Sequence, residues 1–461
     1  MNIMRYISTR GKAPELGFED VLLSGLANDG GLYIPKEWPK LDFKSLPTTS
    51  YSEQAAYVIY PFVSEFLKYE ELQSITDKAY SQFPNKEAIG LKEVEKGNYL
   101  LELFHGPTLA FKDFAMLLLA QFFETSLRRK NKSITILGAT SGDTGSAAIE
   151  AFKNNKHCTV FILFPKGRVS EIQRKQMTTV ESSTIFPIEI DGTFDDCQNL
   201  VKSLFQDLKF KEEMSLGAIN SINWARVAAQ IVYYFSTFQK LKADKVSFSV
   251  PTGNFGDVLA GWIAKKMGLP IDKLIVATND NDILDRAISN GDYFQEKVKA
   301  TTSPSMDIQI SSNFERLLFE SLNRDANKLN ILFNKLKNDN GFNIDDSALS
   351  YIRNDFESGK ANENQVKDTI SRIYNSSDII LDPHTAVGFC ASSDLSDDDT
   401  PMVNLGTAHP AKFSKAVFEA IKVEPEIPNR LKKVINKKEK FVELENNEEL
   451  LINFIRENTN V

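Results

Sequence analysis

Residues 134–148 read Ile134-Thr135-Ile136-Leu137-Gly138-Ala139-Thr140-Ser141-Gly142-Asp143-Thr144-Gly145-Ser146-Ala147-Ala148, and this segment indicates the architecture of the chain. The β-branched and apolar residues at 134–137 predict a buried strand, and a helix is predicted over 145–152. The turn between them is rich in glycine and in hydroxyl side chains. A strand, a glycine-bearing turn and a helix in this order begin a βαβ unit.

The same alternation continues along the chain. Apolar strands are predicted in a first series at 134–137, 159–164 and 185–190, and in a second series at 246–250, 273–278, 378–381 and 402–405. Helices are predicted at 145–152, 170–178, 194–208 and 258–267. Short, fully apolar strands that alternate with helices are typical of parallel sheets covered on both faces. We therefore expect an α/β protein with two three-layer parallel-sheet domains and a cleft between them.

The length of 461 residues favours two or three domains over one compact core. The segment before residue 90 has dense Gly and Pro turns and amphipathic helical segments, so it forms a separate, mainly helical unit. The predicted division is 1–90 for this N-terminal domain, 91–130 with 227–428 for a large domain, 131–226 for a small inserted domain and 429–461 for a charged extension. An acidic surface loop is predicted at 392–399, and 290–377 has a weaker, more helical pattern.

Composition excludes several classes of protein. Hydrophobic residues make up 42% and charged residues 25% of the chain, and the formal net charge of -8 argues against nonspecific nucleic-acid binding. Three cysteines lie far apart, and neither they nor the four histidines have metal-ligand spacing. The sequence lacks the apolar core of a signal peptide and any uncharged run long enough to span a membrane. We expect a cytoplasmic protein with no structural metal.

A lysine in an apolar setting is the first candidate for chemistry. It lies in the segment His105-Gly106-Pro107-Thr108-Leu109-Ala110-Phe111-Lys112-Asp113-Phe114-Ala115, which an uncharged run follows. Burial and the positive end of a helix dipole both favour the neutral amine of Lys112. A neutral amine forms a Schiff base with an aldehyde such as pyridoxal phosphate. The alternative is a lysine that reaches from a helix start to water.

A second turn has the character of an anion site. Pro251-Thr252-Gly253-Asn254-Phe255-Gly256-Asp257 lies between a predicted strand and a predicted helix, where backbone N–H groups and the helix dipole favour a phosphate. Because Asp257 would repel a phosphate, we expect it to cap the helix behind the turn. An ordinary glycine turn before a helix is the alternative.

Three further segments carry weaker signals. The hydroxyl groups of 140–144 suit a carboxylate or phosphate, or alternatively cap their own helix. Thr407 follows the last apolar strand, at the sheet edge where ligands bind in α/β proteins, and is otherwise a helix cap. Asn220, Ser221 and Arg226 at a helix start form a further candidate anion site, although Arg226 is alternatively a solvated helix charge.

Taken together, these segments resemble the threonine synthase family, whose members are pyridoxal-phosphate enzymes of the tryptophan-synthase-β fold type (fold type II). The resemblance covers nearly the whole chain. Its N-terminal part lies in Tyr6-x-Ser8-Thr9-Arg10-Gly11 and Gly25-Leu26-Ala27-x-Asp29-Gly30-Gly31-Leu32-Tyr33-x-Pro35, which match a domain that related dehydratases and cysteine synthases lack. The Schiff-base segment of the family matches Phe104-His105-Gly106-Pro107-Thr108-x-Ala110-Phe111-Lys112-Asp113.

The resemblance implies a role for each candidate residue. Lys112 forms the Schiff base and moves protons, and the cofactor phosphate binds to Gly253, Asn254, Phe255 and Gly256. Thr407 binds the pyridine nitrogen. The substrate carboxylate binds to Thr140, Ser141, Gly142 and Thr144, with Asp143 near the phenolic oxygen of the cofactor. Asn220 and Arg226 hold the substrate phosphate. Some branches of the family carry asparagine at the position of Asp143, and a carboxylate there needs a proton between it and the phenolic oxygen.

The resemblance also implies the reaction, which is a step of threonine and amino-acid biosynthesis. A pyridoxal-phosphate-dependent carbon–oxygen lyase acting on phosphates converts O-phospho-L-homoserine and water into L-threonine and phosphate. The alternatives are a phospho-lyase that releases 2-oxobutyrate and a noncatalytic protein that binds phosphorylated metabolites. The expected partner is the small-molecule substrate, without nucleic acid or membrane, and the expected oligomeric state is a monomer or a dimer.

Overall fold

The structure is a computed structural model that describes residues 3–393, 395 and 400–459. Its strands are β1 Tyr6–Ser8, β2 Tyr33–Pro35, β3 Gly90–Glu95, β4 Asn98–Glu102, β5 Ile134–Ala139, β6 Cys158–Pro165, β7 Ile185–Asp191, β8 Leu216–Gly217, β9 Val246–Pro251, β10 Ile271–Thr278, β11 Asp292–Phe294, β12 Gly341–Asn343, β13 Phe356–Lys360, β14 Met402–Gly406 and β15 Val442–Glu445. Its α-helices are α1 Phe18–Ser24, α2 Tyr51–Val63, α3 Tyr69–Tyr80, α4 Lys112–Lys130, α5 Asp143–Phe152, α6 Glu171–Thr178, α7 Phe194–Gln206, α8 Leu208–Glu213, α9 Trp224–Leu241, α10 Gly256–Met267, α11 Ile283–Asn290, α12 Phe314–Ser321, α13 Ala326–Asp339, α14 Asp346–Asp355, α15 Glu363–Ser377, α16 Pro383–Ser392, α17 Ser414–Ile421, α18 Asn429–Ile435 and α19 Glu448–Asn458. Short 3₁₀ turns lie at Phe43–Ser45, Pro304–Met306 and Pro410–Phe413.

The first predicted series of strands forms a five-stranded parallel sheet in the order β15-β7-β6-β5-β8. Side chains alternate between its two faces, as a period of two requires. Ile136 and Ile162 pack in the same core as α4 and α5, whereas Phe161 and Leu163 pack in another core with α7 and α19. Helices therefore cover both faces, which explains why the strands are apolar throughout.

The second series forms a six-stranded sheet in the order β13-β10-β9-β14-β4-β3. All neighbours are parallel except the hairpin of β3 and β4. Val250 and Val276 face the core that contains α9 and α10, while Ile275 and Ala277 face a second core that contains α15 and α16. This sheet is also three-layered, and the α/β class with two parallel-sheet units is confirmed.

The predicted strand at 378–381 is wrong. Asp378 takes a left-handed conformation that ends α15, and the carboxylate of Asp382 caps α16 by accepting from the N–H groups of His384 and Thr385. Two helix caps so close together leave only a short connection. The edge of the sheet is instead β13, which pairs with β10 and which the sequence pattern missed.

The C-terminal extension belongs to the first sheet. Strand β15 pairs in parallel with β7, and α19 buries Leu451 and Ile455 in the core on that side. The sequence suggested a charged surface tail, because the charges dominate the segment and the alternation of Val442 and Leu444 is short. Most of the predicted acidic loop at 392–399 lies outside the described residues.

The N-terminal segment contains α1, α2 and α3 and a ribbon of β1 and β2, so it is mainly helical. Its helices pack on α4 and α9, the two long helices that carry site residues. Aromatic contacts reinforce this packing, among them Tyr6 with Trp224 and Phe18 with Phe122. Within residues 3–393, 395 and 400–459, no helix is both long and apolar enough to cross a membrane.

Candidate active site

Lys112 is the first residue of α4. It lies at the edge of the large sheet where the neighbouring parallel strands β4 and β14 end. The backbone N–H of Phe111 donates to the carbonyl oxygen of Thr407 at 2.9 Å, and an isolated bridge joins Ala110 to Ala408. Both Lys112 and Thr407 are buried. The ends of two neighbouring parallel strands thus bring these two predicted residues together.

The turn before Lys112 is held by Asp113, which the sequence left without a role. Its carboxylate accepts from the N–H of Thr108 at 2.8 Å and from the hydroxyl of Thr108 at 2.6 Å. A β-carbon on Gly106 would lie 2.4 Å from the same carboxylate, so only glycine fits there. Burial raises the pKa of Asp113 to about 6. Asp113 therefore fixes the approach of the chain to Lys112.

The electrostatic setting of Lys112 favours the neutral amine. Burial lowers its pKa, and the positive charges of Lys412 and Arg226 lower it further, while Asp143 and Asp257 oppose the shift. The Nζ atom lies 3.8 Å from Oδ2 of Asp143 and donates no hydrogen bond to any described residue. The alternative in which this lysine reaches water disagrees with its burial.

The turn between β5 and α5 supplies Asp143 to the cleft. The hydroxyl oxygen of Thr140 accepts from the N–H groups of Gly142 and Gly145, at 3.0 and 2.8 Å, and so stabilises the start of its own helix. Ser141 and Thr144 are half-buried, and within the described chain their hydroxyl groups have no hydrogen-bond partner. Binding of a substrate carboxylate by this turn stays a prediction.

The turn between β9 and α10 presents unpaired donors. Among the described residues, none accepts a hydrogen bond from the N–H groups of Asn254, Phe255 or Gly256. The carbonyl oxygens of the turn are occupied instead, since that of Gly253 accepts from the hydroxyl of Ser311 and that of Asn254 from Asn313. Hydrogen bonds therefore occupy the carbonyl groups of this turn, while the N–H groups of residues 254–256 stay available to bind an anion.

Close packing restricts the same turn. A β-carbon on Gly253 would lie 2.6 Å from the carbonyl oxygen of Ser305. Phe255 has a φ of +62°, which is rare for a bulky residue, and its ring packs on Phe314 and Phe356. Non-glycine residues in this conformation persist where the surroundings enforce them, often at ligand sites.

Asp257 does not cap α10, contrary to the sequence-based expectation. Its carboxylate accepts hydrogen bonds from the hydroxyl groups of Tyr233 and Tyr234 on α9. Burial raises the pKa of Asp257 to about 6. The charge thus faces α9 and not the turn, because two phenols offer this buried carboxylate stronger donors than the helix end.

Arg226, in the first turn of α9, is buried without an acidic partner among the described residues. Its Nη1 donates to the carbonyl oxygen of Ile219 at 3.1 Å, and its Nε has no partner there. Burial lowers its pKa to about 10, so the guanidinium stays charged near neutrality. Asn220 is exposed, and its side chain contacts none of the other candidate residues by a hydrogen bond.

The structure adds site residues that the sequence did not indicate. Asn313 joins the turns by donating to the carbonyl oxygens of Asn254 and Ser221, at 3.0 and 3.1 Å. Lys412, in the 3₁₀ turn after β14, forms a buried ion pair with Asp143. An asparagine has no distinguishing pattern, but Lys412 lies between Ala411 and Phe413, an apolar setting like that of Lys112.

These residues fit pyridoxal phosphate. The cofactor needs an amine for its aldehyde and donors for its phosphate, and Lys112 and the unpaired N–H groups at 254–256 meet both needs. The hydroxyl of Thr407 forms no hydrogen bond with a described residue and lies beside the Lys112 segment. The fold and the site together define a pyridoxal-phosphate-dependent enzyme with two parallel-sheet units.

Comparisons with known proteins agree with that class and narrow it. The family models described as threonine synthase N terminus, pyridoxal-phosphate dependent enzyme and threonine synthase, C-terminal match residues 5–80, 88–329 and 385–455. The threonine synthase of Pseudomonas aeruginosa is 45% identical, with 96% of each chain covered. Crystal structures of threonine synthase superpose with TM-scores of 0.96 for the pyridoxal-phosphate-bound Brucella melitensis protein and 0.93 for the yeast protein. The first is 47% identical over 99% of this chain and 100% of that chain, and the second is 41% identical over 99% of each. The chain belongs to the threonine synthase family.

Proposed function

We propose that this protein converts O-phospho-L-homoserine and water into L-threonine and phosphate, with pyridoxal phosphate linked to Lys112. One observation carries the proposal: a buried lysine, whose pKa burial lowers, stands in a cleft with two separate sources of positive potential. These are the unpaired N–H groups at 254–256 and the buried guanidinium of Arg226. A phosphorylated cofactor and a phosphorylated substrate need two anion sites.

The proposed cofactor site combines residues that follow strands of the large sheet with one residue that follows a strand of the small sheet. Lys112 provides the linking amine, the turn from Gly253 to Gly256 binds the phosphate, and the hydroxyl of Thr407 binds the ring nitrogen. Asp143 lies beside the amine from the other sheet. When bound, pyridoxal phosphate supplies an electron sink that makes protons on the substrate carbons removable. A neutral hydroxyl at the ring nitrogen moderates that sink, because it does not enforce protonation of the ring.

The substrate is assigned to the surrounding donors. Ser141, Thr144 and the start of α5 bind its carboxylate, with Thr140 and Gly142 shaping the turn. Arg226 and Asn220 hold its phosphate, and the charge of Arg226 stabilises phosphate as a leaving group. Lys112 accepts a proton from the substrate at Nζ and later returns it, and burial lowers its pKa in the direction that this role needs.

Product analysis tests this proposal. Purified protein with pyridoxal phosphate and O-phospho-L-homoserine is expected to release phosphate and threonine in equal amounts. Formation of 2-oxobutyrate without threonine would indicate the phospho-lyase alternative. Binding without phosphate release would indicate the noncatalytic alternative, which the burial of Lys112 disfavours.

We propose that 1–90, 91–130 with 227–428, and 131–226 act as separate domains around the cleft, with 429–461 as an extension that adds β15 to the sheet of 131–226. We further propose a cytoplasmic enzyme that works as a monomer, with a dimer as the alternative. Sedimentation of the purified enzyme measures the oligomeric state directly.

A further inference from the structure

Asp143 lies between two lysines at unequal distances. Its Oδ1 is 2.5 Å from Nζ of Lys412, whereas its Oδ2 is 3.8 Å from Nζ of Lys112. The first distance is that of a close ion pair and the second is too long for a hydrogen bond. The carboxylate is therefore paired with Lys412 and only faces Lys112.

The environment of Lys412 fixes this arrangement. Its side chain is fully buried, and its Nζ also donates to the carbonyl oxygen of Thr108 at 2.9 Å. The amide of Gln173 donates to Oδ1 of Asp143 at 2.7 Å, so two donors hold the same carboxylate oxygen. Lys412 thus joins the small-sheet helix α5 to the turn that leads into Lys112.

The charges near Lys112 come from four elements. Asp143 on α5 and Asp257 on α10 are negative, while Lys412 and Arg226, on the 3₁₀ turn and α9, are positive. Asp257 accepts from two tyrosines through Oδ1 and has an unpartnered Oδ2, but it forms no ion pair with Lys112. Asp143, whose Oδ2 is 3.8 Å from Nζ of Lys112, is the carboxylate close enough to change its pairing. Without Lys412, the strongest available cation for Asp143 is Lys112 itself. A buried carboxylate that loses its partner is costly, which drives that exchange.

We propose that Lys412 is a positioning residue that binds Asp143 in an ion pair and so leaves the Lys112 amine free to lose its proton. The inference rests on the proposed function in one respect, the linkage of pyridoxal phosphate to Lys112. An isolated carboxylate beside the Lys112 amine would stabilise its protonated form. An ion pair has no net charge, so the pair of Asp143 with Lys412 has a much smaller effect on that proton.

Charge-removing variants have opposite expected effects. In Lys412→Met, Asp143 pairs with Lys112, and the pH midpoint for attachment of pyridoxal phosphate rises by about one unit or more. In Asp143→Asn, Lys412 is left as an unpaired cation, and the midpoint falls. In the double variant both charges are absent, and the midpoint returns toward the wild-type value. General damage to folding does not reverse sign in this way.

The measurement uses the full-length chain freed of cofactor. Pyridoxal phosphate is added across a pH series, the linkage is trapped with borohydride, and mass spectrometry gives the fraction modified at Lys112. The acidic limb of the kcat profile of each holoenzyme is a second readout. Lys166→Met with Glu443→Gln is the matched control, because both side chains of that ion pair are exposed.

Midpoints that move in opposite directions and return in the double variant support the proposal. Midpoints that move in the same direction, or a double variant no closer to wild type than Lys412→Met, overturn it. If Lys412→Met does not fold, Asp143→Asn is compared with the double variant. The proposal then requires a lower pH midpoint in Asp143→Asn, because only that variant contains Lys412 without its anionic partner. The borohydride readout needs no substrate, so failure to form threonine would overturn the proposed reaction and leave the trapped fraction at Lys112 interpretable.

Discussion

Arg316 is fully buried, and its Nε and Nη2 donate to the carbonyl oxygen of Tyr33 at 3.0 and 2.8 Å. Nη2 also donates to the carbonyl oxygen of Ile222, at 2.8 Å, and Nη1 to the side chain of Asn313. No carboxylate of a described residue forms an ion pair with it. The guanidinium of Arg316 therefore joins the ribbon of β1 and β2, the segment just before α9, and Asn313, which donates to the turn at 253–256.

Replacement of Arg316 by methionine is expected to destabilise the protein by about 3 kcal/mol, because buried carbonyl groups lose charged donors. The free energy of unfolding from denaturant titration measures this loss. Arg128→Met is the matched control, since Arg128 is exposed at the end of α4 and its replacement should change stability by less than about 0.5 kcal/mol. Equal stabilities for the two variants would contradict the assigned role of Arg316.

Gly253→Ala is expected to weaken pyridoxal phosphate binding about tenfold or more, since a new β-carbon 2.6 Å from the carbonyl oxygen of Ser305 forces the turn to shift. Fluorescence titration of the cofactor-free protein gives the affinity. In Gly138→Ala the nearest atom to the new β-carbon is 3.5 Å away, so this control should bind normally. Unchanged affinity in Gly253→Ala would show that the turn does not hold the phosphate.

The sequence predicted the elements that depend on local pattern. The strands before both glycine turns, the helices after them and the helix start at Lys112 all appear, because apolar runs and turn residues report burial and chain reversal directly. It did not predict contacts between distant segments. Neither the pairing of Lys412 with Asp143 nor the donation of Asn313 to Asn254 has a local signal.

The errors in strand prediction have the same cause. Phe356-Glu357-Ser358-Gly359-Lys360 is polar and contains glycine, and it becomes β13 only because β10 offers an open edge. The segment at 378–381 is more apolar than β13, and its pattern predicts a strand. It instead connects two helices, because Asp378 ends α15 and Asp382 caps the start of α16. Tertiary pairing outweighs local propensity in both places.

Asp257 makes stability depend on pH. Its pKa is raised from 3.8 to about 6, so the folded protein binds a proton more tightly than the unfolded chain does. The resulting stabilisation is complete below about pH 4 and is lost as the pH rises through about 6, with a total of about 3 kcal/mol. Asp257→Asn should remove this dependence.

Denaturant midpoints of wild type and Asp257→Asn between about pH 4 and 7 check this expectation. Wild type should lose stability relative to the variant as the pH rises. Parallel curves would contradict a buried carboxylate that titrates near 6. Because the side-chain amide in Asp257→Asn still offers an oxygen to Tyr233 and Tyr234, the comparison isolates the charge.

The most direct test of the account is the conversion of O-phospho-L-homoserine by wild type, Lys112→Ala and Lys132→Ala. Lys132 is exposed just beyond α4 and serves as the control. We predict that wild type and Lys132→Ala form threonine and carry pyridoxal phosphate that borohydride fixes to Lys112, whereas Lys112→Ala forms neither threonine nor the fixed adduct. Threonine formation by Lys112→Ala at the wild-type rate would contradict the central claim.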